Sequence, residues 1–177
     1  MDAQAFAEFD ATLRDGRAVH IRAMRPSDEA EFLQAFARLG ADARHMRFMR
    51  VVREPNEARL RKVLASFPAD GIGLVATVPA ADGIDIVGST VAVFTSDRTS
   101  CEFAITVAAE FGGSGLATRL MTTLIETARQ RGIGEMEGFV LAVNQPMLRL
   151  AARLGFSIAP DPEDASVRLC RLRLGKA

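Results

Sequence analysis

The stretch VAAEFGGSGLATRLM, residues 107–121, decides the reading. Upstream of it, CEFAITV (101–107) is rich in apolar and β-branched residues and reads as a strand. Downstream, Leu116, Leu120, Leu124 and Ala128 recur every fourth residue, with Ala117, Met121 and Ile125 on the adjoining line, as a core-facing helix requires. Between the two lie Gly112, Gly113 and Gly115. Glycines let a backbone approach a ligand closely, and the first turn of a helix offers unpaired N–H groups and a positive dipole end. The combination suits a phosphate or pyrophosphate; it suits a plain strand-to-helix turn equally well. A P-loop is excluded, because no Lys follows Gly115. The dinucleotide fingerprint is poorly met, since Thr118 stands where its third glycine belongs.

Outward from this segment the chain alternates in character. Residues 1–17 read as an arm or short helix ending at the turn signal Asp15-Gly16. AVHIRAMR (18–25) reads as a strand stopped by Pro26, with Ser27 as the cap of a helix that runs to Gly40. Residues 41–50 and 56–67 read as helices. GIGLVATV (71–78) and IDIVGSTVAVF (84–94) read as an antiparallel hairpin across the turn-rich 79–83. After the long helix, which ends near Arg131-Gly132, come a strand at 136–143, a short helix from Pro146 to Leu154, and strands at 156–158 and 167–174. The apolar phase slips in the last of these, which predicts a bulge near Cys170. The pattern predicts an α+β fold, with a central mixed, mostly antiparallel sheet of six to seven strands flanked by helices, in one domain spanning 1–177.

Composition narrows the function. Of 177 residues, 22 are Lys or Arg and 22 are Asp or Glu, so the net charge is zero and a dedicated nucleic-acid partner is not expected. No apolar run reaches the ~18 residues of a membrane span, and the N-terminus lacks the pattern of a secretory signal, so a cytoplasmic location is expected. Cys101 and Cys170 form no disulfide framework. His20 and His45 have no ligand partners at metal spacing, so no metal is expected.

The glycine turn resembles the acetyl-CoA pyrophosphate loop of the GNAT acetyltransferase superfamily, [QR]-x-x-G-x-[GA]. Here it runs Gly112-Gly113-Ser114-Gly115-Leu116-Ala117, with Gly112 replacing the usual Gln or Arg. That departure removes a side chain and puts weight on backbone N–H groups. Val143-Asn144-Gln145-Pro146-Met147, Leu150 and Arg153-Leu154-Gly155-Phe156 resemble a later GNAT segment, and Ile21-Arg22 to Asp28 resembles the family's first strand and helix start. Arg44-His45-Met46-Arg47-Phe48 is particularly similar to the GNAT domain of bacterial protein-lysine acetyltransferases.

The resemblance implies acetyl transfer from acetyl-CoA to a primary amine, on a protein lysine or a small molecule. An amine must lose a proton before it attacks, and Glu102, a carboxylate in an otherwise apolar strand, is the candidate base. The family geometry would place the backbone of Ile105, Thr106 and Val107 on the pantetheine arm. It would place Gly112, Gly113, Ser114, Gly115, Leu116 and Ala117 on the pyrophosphate. Asn144 would contact the cofactor or a water, although Asn before a Pro-started helix is an ordinary cap. Many GNAT enzymes protonate the departing thiolate with a Tyr, and this chain has none. That absence, with Gly112, motivates a second class of function, a degenerate acyl-CoA-binding sensor or regulatory module; a nicotinamide or flavin binder is a third. A homodimer is compatible with the sequence.

Overall fold

The computed structural model describes residues 5–49 and 53–175. Its strands are β1 (Phe9–Thr12), β2 (Ala18–Ala23), β3 (Gly71–Ala80), β4 (Gly83–Phe94), β5 (Ser100–Val107), β6 (Glu135–Leu141), β7 (Ser157–Pro160) and β8 (Val167–Arg173). Its helices are α1 (Glu29–Arg38), α2 (Ala41–Phe48), α3 (Glu57–Ser66), α4 (Leu116–Gln130) and α5 (Gln145–Arg153). The strands make one sheet in the order β1-β2-β3-β4-β5-β6-β8-β7. All neighbours are antiparallel except β5 and β6, whose parallel pairing requires the crossover helix α4.

Both faces of the sheet are covered. Helices α4 and α5 lie on one face, where Leu120, Met121, Leu124, Ala128 and Ala151 have no solvent exposure. Burying a Leu side chain is worth ~1.5–3 kcal/mol, so the α4 stripe alone commits this helix to the sheet. On the other face Phe32 of α1 and Leu60 and Leu64 of α3 pack with Val75 and Ile86. β3 is therefore buried on both sides, which explains its unbroken apolar run.

Four sequence expectations change. The stretch expected as an arm or short helix at 1–17 contains β1, because Phe9 and Ala11 face the core from the sheet edge and Phe9 pairs with Ile21; residues 1–4 lie outside the described residues. This edge strand brings the sheet to eight. Ser27 does not cap α1. Pro26–Asp28 forms a 3-10 turn, and the Asp28 carboxylate instead accepts the Arg25 amide at 2.8 Å and a bidentate pair from Arg22 at 2.7 and 2.9 Å. The pairing of β6 with β8 is continuous through Cys170, so no bulge lies there: Cys170 and Leu172 share the core face, and Val167 and Leu169 fall on the other. The register shift lies instead in β3–β4, at Ala76/Thr77. Lastly, α2 stops at Phe48 with Met49 left-handed, short of the expected end at 50, a residue outside those described.

Candidate active site

The parallel ladder between β5 and β6 is short. It pairs Ser100, Cys101 and Glu102 with Glu135, Met136 and Glu137, and there it ends. Beyond it β5 pairs only with β4, up to Val107 against Gly88, and β6 only with β8. The two strands part. At the fork, the Phe103 ring occupies the space where Gly138 would carry a side chain, with its Cε1 2.3 Å from an ideal Cβ there. Only glycine accepts the ring at this position. The Ala108 amide donates to the Val87 carbonyl, so even-numbered residues of β5 direct their backbone at β4. By alternation Ile105 and Val107 direct theirs into the opening, where no strand pairs with them. Thr106 pairs with Ser89 in the β4 ladder, so its backbone is not free for a ligand, although the residue lines the cleft.

The opening is a cleft of about 520 Å³, lined by β5, the glycine turn, α2, Phe139 of β6 and α5. One end is the glycine turn. Gly113 and Gly115 have φ of +70° and +87°, values that an L side chain resists, and nothing stands within 4 Å of a side-chain position at Gly113. Gly112, Gly113, Gly115, Leu116 and Ala117 line the cleft. Leu116 is wholly buried beneath the turn, and its amide is engaged within the turn itself. Ser114 is buried and turned inward: its hydroxyl donates to the Phe111 carbonyl and accepts the Leu116 amide at 3.3 Å. It shapes the turn and spends one of the N–H groups of α4. Asn144 sits in the cleft wall and caps α5, its Oδ1 accepting the Met147 amide at 3.4 Å.

The other end holds Glu102, on the face opposite Cys101 and Phe103. Val107 lies five residue steps further along the strand, about 17 Å at the usual rise, so a ligand reaching both ends must be long. The Glu102 side chain is exposed at the rim, yet its pKa is raised above the ordinary carboxylate value. Desolvation is the larger cause and the neighbouring Glu137 charge the second, while Arg47 and Arg59 pull it back down. Arg47, on α2, has its own pKa lowered, chiefly by burial. Burial pushes the Cys101 thiol up to about 12, and it packs in the core with α4, so it offers no nucleophile to the cleft. Among the described residues no group of three or more His, Cys, Asp or Glu forms a metal site, and no helix is long and apolar enough to cross a membrane.

The cleft also contains residues that spacing did not single out. Leu39, Ala43, Met46, Arg47 and Met49 come from the α1–α2 region, and Arg14 from the β1–β2 turn. Each is more than fifty residues from Glu102 or the glycine turn; Met46 and Arg47 fall in the segment whose family resemblance was noted, but no local pattern assigns any of the six to the cleft.

The model of the GNAT acetyltransferase domain matches residues 19–157. An acetyltransferase of Pseudomonas aeruginosa is 32% identical over 163 residues, 92% of this chain and 88% of its own. The GNAT domain of PAT from S. lividans superposes with a TM-score of 0.84 at 20% identity, covering 94% of this chain and 96% of that one. The structure of yncA from Salmonella typhimurium with its cofactor acetyl-CoA gives 0.70 at 20% identity, with 91% and 96% covered.

Proposed function

The chain belongs to the GNAT family of acetyltransferases, and from that premise we propose that it moves an acetyl group from acetyl-CoA to a primary amine by direct attack in a ternary complex. We read residues 1–177 as one such domain. The observation that carries the reading is the parting of β5 from β6 beside a glycine turn at the start of α4. A nucleotide thioester has the shape the cleft asks for: a charged diphosphate for the turn, an amide-bearing arm for the free backbone of Ile105 and Val107, and a reactive end near Glu102. An arm that hydrogen-bonds β5 takes the place that β6 leaves as it parts from β5, which satisfies backbone groups otherwise left to water.

Glu102 accepts the proton of the incoming ammonium, directly or through a water. Its raised pKa moves it toward the range of an effective base. The amine nitrogen then forms a bond to the thioester carbonyl carbon, the carbon–sulfur bond breaks, and the nitrogen releases its second proton to solvent to become the amide. A backbone amide of β5 aimed at the carbonyl oxygen stabilises the charge developing there. The sulfur leaves as thiolate and takes a proton from solvent. No Tyr is present to supply it, and a thiol of pKa ~8.5 leaves without obligatory protonation.

The test is CoA release from acetyl-CoA with a panel of amines, covering lysine peptides, amino acids and simple alkylamines. Release with one class and not the others supports the reading and names the acceptor. Saturable acetyl-CoA binding with no release above hydrolysis for any amine favours the sensor reading instead.

A further inference from the structure

We propose that Arg14, on the turn between β1 and β2, binds the diphosphate of acetyl-CoA, supplying from the far end of the sequence the cation that the glycine turn lacks. The inference rests on the acetyl-CoA reading above. The turn Gly112-Gly113-Ser114-Gly115 and the following Leu116-Ala117-Thr118 offer no charged side chain, and the one hydroxyl within the turn is spent on the turn itself. Only backbone N–H groups and the Thr118 hydroxyl of this segment would face a doubly charged ligand.

Arg14 is placed to answer that charge. Its backbone amide donates to the Ser114 carbonyl at 3.1 Å, which ties the β1–β2 turn to the glycine turn independently of its side chain. Leu13, buried beside it, anchors the same turn in the core. The Arg14 side chain then lies along the glycine turn and lines the cleft: Nη2 is 3.4 Å from the Gly113 carbonyl oxygen, and Nε is 3.2 Å from a side-chain position at Gly115. The carbonyl contact is long, and among the described residues no carboxylate pairs with this guanidinium. Its neighbour Arg17 contrasts with it. Arg17 bonds Asp15 at 2.6 Å and stacks over the Phe111 ring at 3.9 Å, so its charge and its planar face are both engaged. Of two arginines on one turn, one holds the turn together and the other is left facing the cleft. A phosphate offers Arg14 a shorter, charge-assisted bond in exchange for a weak one to a carbonyl.

The experiment compares two donors, acetyl-CoA and S-acetylpantetheine, which carries the same thioester without the diphosphate. Arg14→Ala is expected to weaken calorimetric binding of CoA about tenfold, as loss of one charge-assisted hydrogen bond implies. The ratio of kcat/KM for acetyl-CoA over S-acetylpantetheine falls by the same factor, and Arg14→Lys recovers part of it. Gly112→Arg in the Arg14→Ala background recovers binding by returning a cation to the turn. Gly112 has an ordinary φ of −58°, and its added side chain starts 3.1 Å from the Ala109 carbonyl oxygen. Equal CoA affinity in Arg14→Ala and the unaltered protein overturns the inference. So does an equal loss with both donors, which marks a structural role. If the unaltered protein binds neither acetyl-CoA nor CoA, the acetyl-CoA reading falls, and this inference with it.

Discussion

Replacing Gly138 by Ala tests whether the fork in the sheet is built by ring packing. The new methyl would start 2.3 Å from Phe103 Cε1 and 2.6 Å from Cζ. The ring has little room to retreat, because it is buried and packs edge-on against Phe156 at a centroid separation of 5.2 Å. Overpacking of this kind costs ~1–3 kcal/mol, while removing glycine's unfolded-state freedom returns ~0.4–1 kcal/mol. A net loss of about 1–2 kcal/mol remains, or roughly 2–8 °C in Tm at ~2–4 °C per kcal/mol for a chain of this size. Urea unfolding followed by circular dichroism measures it. The companion Phe103→Leu removes the clashing edge, so Gly138→Ala should cost less in that background, with a coupling of about 1 kcal/mol. Gly138→Ala is expected also to weaken acetyl-CoA binding, because the displaced ring widens or closes the fork. If the single variant unfolds at the wild-type urea midpoint, or if the two substitutions add without coupling, the ring does not set the fork and the packing argument is wrong.

Glu102→Gln should lower kcat by about 100-fold or more and remove the acid limb of the pH–rate profile, a limb that in the wild type lies above the ordinary carboxylate range. The same raised pKa means that the folded protein disfavours the Glu102 carboxylate, so stability from this group falls as pH rises through its pKa. Glu102→Gln should therefore melt higher than wild type at neutral pH, with the gap closing in acid; a lower melting point at pH 7 would contradict the desolvation account. Asp28→Asn breaks a bidentate pair with Arg22 that is almost fully buried, and should cost ~3–5 kcal/mol in urea unfolding; a loss under ~1 kcal/mol would mean the pair is dispensable. Gly115→Ala forces a side chain into φ +87° against Arg14 at 3.2 Å, whereas Gly113→Ala meets open space at φ +70°. Both should cost ~1–2 kcal/mol for the left-handed backbone, with Gly115→Ala the worse; equal unfolding midpoints would remove the crowding argument.

Periodicity and turn chemistry, which act over a few residues, were enough to place α4, α5, the β3–β4 hairpin and the glycine turn. The stripe Leu116, Leu120, Leu124 and Ala128 is wholly buried, as its spacing of four demands. Glu102 was legible as a carboxylate in an apolar strand, and Asn144 as a cap. The misreadings are those in which a distant partner overrides a local preference. Residues 9–12 become a strand because β2 offers an edge to pair with, and Asp28 displaces Ser27 as the stabiliser of the turn into α1 because Arg22 waits across it. The inward turn of Ser114 and the engagement of Thr106 with β4 likewise depend on neighbours that spacing does not reveal.

The sequence by itself determined that a glycine turn joins a strand to a helix and that a carboxylate lies in that strand, since both follow from the order of neighbouring residues. Only the tertiary structure decided that β5 and β6 part after Glu102, that Phe103 on Gly138 marks the parting, and that α2 and Arg14 complete the cleft. Those contacts join residues far apart in the chain. They are fixed by which buried surfaces fit together, and no local pattern of residues encodes that fit.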